Sequence, residues 1–212
     1  MRLEDRPDLY GIDKCARPGP DFEGGLKFLV IGDSYAGDTV IALRNAYPEA
    51  FFGYFVVPGC PLPDVMDLRS KSRLPCLAHY RHMVEAVLPD LEIDSVLLVS
   101  NREKVSDQTL DDWIALARRN GHKVGIIGGR PVFRERVPQI IERFEGSGNL
   151  VQKANELIVE DSRDRNARLA DRMTQLGISY FDIFAAACDD VCNTFRCQRE
   201  RDLQGQVAFQ RA

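Results

Sequence analysis

The sequence predicts an α/β fold, a three-layer α/β/α sandwich built on a parallel sheet of five strands. Three observations carry this. Short unbroken apolar runs recur along the chain, such as Leu-Lys-Phe-Leu-Val-Ile at 26–31 and Ser-Val-Leu-Leu-Val-Ser at 95–100. Runs of that length without polar alternation suit strands covered on both faces. They alternate with segments whose apolar residues recur at helical spacing, and Gly or Pro marks the joins. Strand–helix–strand order at this spacing argues for right-handed crossovers in one sheet, and five strands suggest the flavodoxin-like arrangement. Such sheets place their sites at the carboxyl ends of the strands.

The elements follow in order. Residues 1–24, rich in Pro, Gly and Asp, read as an irregular lead-in, and 25–212 as one domain. The run 26–31 is the first strand and 32–37 a turn. A helix is expected at 38–47 with Val40, Ile41 and Leu43 inward, stopped by Pro48. The aromatic and β-branched segment 51–57 is the second strand, ended by Pro58-Gly59. Residues 76–88 read as a helix and 95–100 as the third strand. Ser106 is a helix N-cap signal, followed by Leu110, Trp113, Ile114 and Ala117 on one face and Gly121 as the stop. Residues 123–127 are the fourth strand. A short helix is expected within 131–144, a loop at 146–149, and a long, interruptible polar helix at 150–176. The fifth strand is 178–183, and a cysteine-rich tail follows.

At 212 residues the chain has room for one domain with a full core. A hydrophobic share of 44% against 28% charged excludes a disordered composition. The net charge is -4, and the basic residues form only short clusters such as Arg118-Arg119. No basic stripe with interleaved aromatics exists, which argues against nucleic acid as a partner. No apolar run reaches the ~18 residues of a membrane helix, and residues 1–13 lack the apolar core of a signal peptide. The chain is therefore expected to be soluble, without inserting in a membrane itself, and, if it works outside the cytoplasm, to depend on another part of a longer protein to take it there. Six cysteines, Cys15, Cys60, Cys76, Cys188, Cys192 and Cys197, suggest disulfides and an oxidising compartment. Free buried thiols and a zinc site at 188–197 are the alternatives, the latter opposed by the absence of Cys-x-x-Cys and of a nearby His.

The chemistry concentrates at the end of the first strand, which runs into Gly32-Asp33-Ser34-Tyr35-Ala36-Gly37. A serine in a tight turn at a helix N-terminus has backbone N–H groups and the helix dipole beside its oxygen. Gly32 and Gly37 would permit close backbone approach. The plainer reading of the turn is a helix cap, for which Asp and Ser are favoured. No Lys-Ser/Thr follows Gly37 and no Gly-x-Gly-x-x-Gly exists, so a phosphate loop is not indicated.

In an alternating α/β chain this Gly-Asp-Ser turn resembles the SGNH/GDSL hydrolases. The resemblance implies that Ser34 is a nucleophile, and that Gly59 after the second strand and Asn101 after the third complete an oxyanion hole with the Ser34 backbone N–H. A narrower likeness spans about 26–197, to the SGNH domain fused behind the membrane domain of acyltransferase family 3 proteins, which decorate bacterial surface polysaccharides. It is carried by Gly-Asp-Ser, Gly59-Cys60-Pro61, Cys76, Ile126-Ile127-Gly128-Gly129-Arg130-Pro131 with Phe133, and Tyr180-Phe181-Asp182 before a Cys-rich loop. It implies serine-type acyl transfer, an O-acetyltransferase or esterase reaction with no cofactor and no metal. The implied partners are a membrane acyltransferase domain or other acyl donor and a polysaccharide or ester substrate, on the periplasmic side of the inner membrane. The expected pairing is Cys60 with Cys76 and two of Cys188, Cys192 and Cys197 with each other, leaving Cys15 for the odd cysteine of the tail.

The chain departs from the family pattern at three places. Tyr35 stands where His commonly follows Gly-Asp-Ser. Val99-Ser100-Asn101-Arg102 replaces Gly-x-Asn-Asp. The Asp-x-x-His block that supplies the base occurs nowhere in the sequence, although 205–209 could begin the strand before it. His79, His82 and His122 read as surface or core-edge residues. The expectation is a C-terminally incomplete copy whose serine lacks its normal activation. Two rivals are a non-catalytic module that binds carbohydrate or docks on a membrane acyltransferase, and an unrelated flavodoxin-like nucleotide binder.

Overall fold

The computed structural model describes residues 15–20, 22–68, 75–99 and 105–187. These fall into two compact units, one within Met1–Ile127 with Gly177–Tyr180, the other within Gly128–Leu176 with Phe181–Ala212. The chain forms β1 (Lys27–Gly32), α1 (Ser34–Ala46), β2 (Phe51–Val56), α2 (Val65–Leu68), α3 (Pro75–His82), β3 (Ser95–Val99), α4 (Asp107–Arg119), β4 (Lys123–Ile127), α5 (Val137–Phe144), α6 (Leu150–Glu156), α7 (Glu160–Gln175), β5 (Ser179–Phe181) and α8 (Ile183–Ala187). The five strands make one parallel sheet in the order β2-β1-β3-β4-β5. This is the expected flavodoxin-like order, in which the chain reverses its direction of growth between β1 and β3.

Burial explains the apolar runs. Leu29, Val30 and Ile31 of β1 and Val96, Leu97, Leu98 and Val99 of β3 are all buried. Consecutive buried residues on a strand mean that both faces are covered. The edge strand β2 instead intersperses buried Phe52, Gly53 and Phe55 with half-buried Phe51, Tyr54 and Val56. On α4, Leu110, Trp113, Ile114 and Ala117 are buried as their spacing predicts, Ser106 accepts from Thr109 N at 3.0 Å as the cap, and Gly121 follows with φ +83°.

Two helices differ from expectation. Helix α1 starts at Ser34, within the expected turn, and its buried residues are Ala36, Thr39 and Val40. Residues 36, 39, 40 and 43 share one face by their helical spacing, and the following residue, Ile41, is turned out and 63% exposed rather than inward. The helix expected at 76–88 is regular only to His82, then widens at Met83–Val87 and tightens at Leu88–Asp90. Pro89 lies in that last turn and has no N–H to continue a ladder. The long polar helix at 150–176 is broken between α6 and α7, where Val159 N bonds Val132 O at 2.7 Å.

Cys15 and Ala16, assigned to the lead-in, form a helical turn in which Ala16 is fully buried. A Cβ on Gly53 would lie 2.6 Å from Ala16 O, so the glycine in β2 makes room for this segment. Cys15 is a free thiol whose Sγ bonds the Tyr54 hydroxyl at 3.3 Å. The expected Cys60–Cys76 disulfide is present, with Cα atoms 5.8 Å apart and a sequence separation of 16. Cys188, Cys192 and Cys197 lie outside the described residues, as do 205–209. A loop of this length contributes about 3 kcal/mol by restricting the unfolded chain. The Cys60→Ala/Cys76→Ala double variant is therefore expected to lose about that much stability, measured by denaturant unfolding of protein from an oxidising compartment. An unchanged midpoint, or six titratable thiols in the wild type, would contradict the bridge.

In the second unit, Ile140 and Ala154 form a small core against Phe133, Val137, Ile141, Phe144, Leu150 and Leu157. An antiparallel bridge between Phe133 and Ile158 closes it.

Candidate functional site

The site begins with how closely two strands approach. Gly32, the last residue of β1, is in register with Val56 of β2 and Val99 of β3. A Cβ on Gly32 would lie 1.6 Å from Val99 O. Only glycine allows that separation, so the residue before the turn is dictated by sheet packing. The shared register means that the chain leaves all three strands at one level. It does so through Asp33-Ser34 after β1 and Val57 to Gly59 after β2, and β3 ends at the same level at Val99. That edge is the switch point of the sheet, where folds of this order place their ligands.

Asp33 caps α1. Its Oδ1 accepts from Tyr35 N at 3.0 Å and its carbonyl from Ala36 N at 2.9 Å. Capping is thus done by Asp33, which is 5% exposed, and not by Ser34. Ser34 is the first helical residue and is exposed. Its backbone N–H is one of the four at a helix start that have no acceptor in the helix. The plainer reading of the turn as a helix cap is therefore met, with Asp33 as the cap, and the exposed serine is left outside that role. Among the described residues no hydrogen bond reaches Ser34 Oγ.

Gly59 stands in the turn after β2. Val57 N bonds Gly32 O at 3.0 Å, tying this turn to the end of β1, and Cys60 N bonds Val57 O at 3.0 Å to close it. Gly59 has φ +74°, with open space where a Cβ would be. Glycine is needed there for its backbone angle rather than for room, as in a type II turn with Pro58 before it. Gly37 differs from what the sequence suggested. It lies inside α1, and a Cβ would meet only Val56 Cγ1 at 3.8 Å, so no close backbone approach depends on it. Asn101 lies outside the described residues.

The histidines are core-edge residues, as expected. His79 and His122 are each 7% exposed, and the His122 Nε2 is 3.2 Å from Leu88 O. Burial, with the neighbouring His82 second, lowers the His79 pKa below its ordinary value.

A profile of the SGNH domain fused to AT3 domains matches residues 2–203. The chain belongs to that family. No curated protein sequence matches it. Among solved structures, this SGNH domain is similar to the periplasmic domain of a lipopolysaccharide acetyltransferase from Salmonella ser. Paratyphi A. The TM-score is 0.60 and the identity 13%, over 89% of this chain and 82% of that one. At that identity the likeness establishes the fold.

Within the SGNH domain, the segments Gly128-Gly129 and Asp182 are joined by a residue that the sequence did not single out. Asn166 of α7 is 6% exposed. Its Oδ1 accepts from Gly129 N at 3.0 Å, and its Nδ2 donates to Asp182 Oδ1 at 2.5 Å. Asp182 Oδ1 also accepts from Ala185 N at 2.8 Å, capping α8. The signal available was an amide within a polar helix, which is too common to stand out. Among the described residues no helix is long and apolar enough to cross a membrane.

Proposed function

We propose that this SGNH domain performs serine-type acyl transfer. Ser34 takes an acyl group, acetyl in the simplest case, from a membrane acyltransferase domain or an ester, and passes it to a polysaccharide hydroxyl or to water. The N–H groups of Ser34 and Gly59 and the side chain of Asn101 would hold the oxyanion. The reading places the domain on the periplasmic side of a bacterial inner membrane, beside its AT3 partner. The observation that carries it is Ser34 itself: the first helical residue at the switch point, exposed, and relieved of capping by Asp33. Family membership and the likeness to an acetyltransferase's periplasmic domain support the same reading. No cofactor or metal enters it.

In this mechanism Ser34 Oγ attacks the acyl carbonyl and its proton passes to a base. The tetrahedral oxyanion forms against the helix N-terminus and collapses to an acyl-serine as the donor alcohol leaves. The acceptor hydroxyl reverses these steps. The test is to incubate the chain with an activated acetyl ester, quench in acid and map the adduct by mass spectrometry. One acetyl group on the peptide containing Ser34, absent from Ser34→Ala, is the expected result; acetylation confined to lysines would overturn the assignment.

A non-catalytic module is the second reading, favoured by Tyr35 where the family pattern commonly has His and by Val99-Ser100-Asn101-Arg102 in place of Gly-x-Asn-Asp. It expects no acetyl-serine, and binding of the polysaccharide or of the membrane domain that Ser34→Ala leaves intact.

A further inference from the structure

We propose that Tyr80 is a positioning residue that holds the Gly59 N–H in place at the carboxyl edge of the sheet. The proposal rests on the serine acyl-transfer reading for its chemical meaning, and on the geometry of the 59–64 segment for its substance.

Tyr80 lies on α3 and is fully buried. Its hydroxyl donates to Cys60 O at 3.1 Å, the residue directly after Gly59. Cys76, four residues earlier on the same helix, holds Cys60 covalently through Sγ. Residues four apart share a helix face, so one face of α3 grips Cys60 twice, by its side chain and by its carbonyl. Cys60 is also the last residue of the turn that contains Gly59. The rest of the segment is clamped as well: Trp113 Nε1 donates to Pro63 O at 2.8 Å, and Thr109 donates to the Asp64 carboxylate.

The arrangement resists one particular motion. In a turn of this kind the peptide between the two central residues can flip, which reverses the direction of the N–H it carries. Here that peptide joins Pro58 to Gly59, and its N–H is the proposed oxyanion donor. Fixing the turn's last residue from outside opposes the flip. The Tyr80 ring is itself wedged between Phe55, at 5.3 Å between centroids, and Trp113, at 5.7 Å, so the hydroxyl has little freedom to move away. Burial, and secondarily the charge of Asp33, push the Tyr80 hydroxyl far above its ordinary range. It therefore remains a proton donor at every pH at which the protein would be assayed.

The test compares wild type, Tyr80→Phe and Ser162→Ala. The first variant removes only the hydroxyl and keeps the ring. The second removes one hydroxyl bond, to Val159 O at 2.7 Å, in the other compact unit. Two quantities are read: the NMR order parameter of the Gly59 amide, and kcat and KM on a chromogenic acetyl ester. In Tyr80→Phe the Gly59 amide is expected to fall from about 0.85 toward 0.6, and kcat to drop roughly 10- to 100-fold with KM nearly unchanged. Ser162→Ala should match wild type in both. An unchanged Gly59 amide in Tyr80→Phe overturns the proposal, as does an equal loss of kcat in the two variants. If turnover does not exceed that of Ser34→Ala even with a C-terminal segment carrying Asp-x-x-His appended, the acyl-transfer reading fails, and the amide measurement still decides whether Tyr80 holds Gly59.

Discussion

Ser34→Ala is expected to leave an acetyl ester hydrolysed at the background rate, and the size of the loss should depend on whether a base is supplied. A serine hydroxyl without a base is a weak nucleophile at neutral pH, although oxyanion donors alone can retain ~10³-fold catalysis over water. The 212-residue chain contains no Asp-x-x-His, so its turnover should be slow. Appending a C-terminal segment that carries Asp-x-x-His should raise the rate by about 10²- to 10⁴-fold, the usual worth of a positioned general base. Ser34→Ala should abolish all of that increase. Rates of the four proteins, each with and without the segment and the substitution, provide the check. Robust Ser34-dependent turnover by the chain alone would assign the base to a histidine already present, His79 or His82. Turnover that is indifferent to Ser34 would remove the nucleophile assignment.

Gly32→Ala should be the most damaging single methyl that can be added near the site. The new Cβ would lie 1.6 Å from Val99 O, 2.8 Å from Val99 C and 3.1 Å from Ala36 Cβ. The first two are backbone atoms of the central strand β3 and cannot rotate aside, so β1 and β3 must separate. Overpacking in a rigid core costs typically about 1–3 kcal/mol, and an obstacle made of backbone belongs at or above the upper end. A loss of about 3 kcal/mol or more is expected in denaturant unfolding, with Ser34-dependent turnover lost even where the variant still folds. Gly37→Ala is the contrast. It adds the same methyl within the same motif, but in a helix with only Val56 Cγ1 at 3.8 Å. It should be stabilising by up to about 1 kcal/mol, the difference in helix propensity between Ala and Gly. Equal effects of the two substitutions would show that the β1–β3 approach is not what requires Gly32.

Much of the fold was legible because its signals are local. Unbroken apolar runs at β1, β3 and β4 reflect strands covered on both faces, and the α4 face was readable from its spacing and its Ser106 cap. The misreadings at α1 and α3 arose where local signals conflict. Gly32 and Gly37 made 32–37 look like a turn, yet Asp33 caps a helix that starts at Ser34. The helical periodicity of 76–88 did not reveal the widened turn at 83–87, where the buried residues Met83 and Val87 are four apart, a spacing that also suits a regular helix. The candidate site was legible in part. Ser34 and Gly59 could be named from their motifs, and the register of β1 with β2 and β3 brings the ends of those strands to one level. Asn166 and Tyr80 were not legible, because a buried amide and a buried phenol acquire a role only from what they touch.

By itself the sequence determined the alternation of strands and helices, the parallel sheet and the place of the Gly-Asp-Ser motif at the end of the first strand. Each depends on residue type and spacing along the chain. Only the tertiary structure decided why Gly32 must be glycine, which residue caps α1, and what secures the turn that carries Gly59. These depend on contacts between residues far apart in sequence: Val99 against Gly32, and Tyr80 against Cys60. Spacing along a chain records the period of its own backbone. It holds no record of which carbonyl another strand or helix brings to within bonding distance.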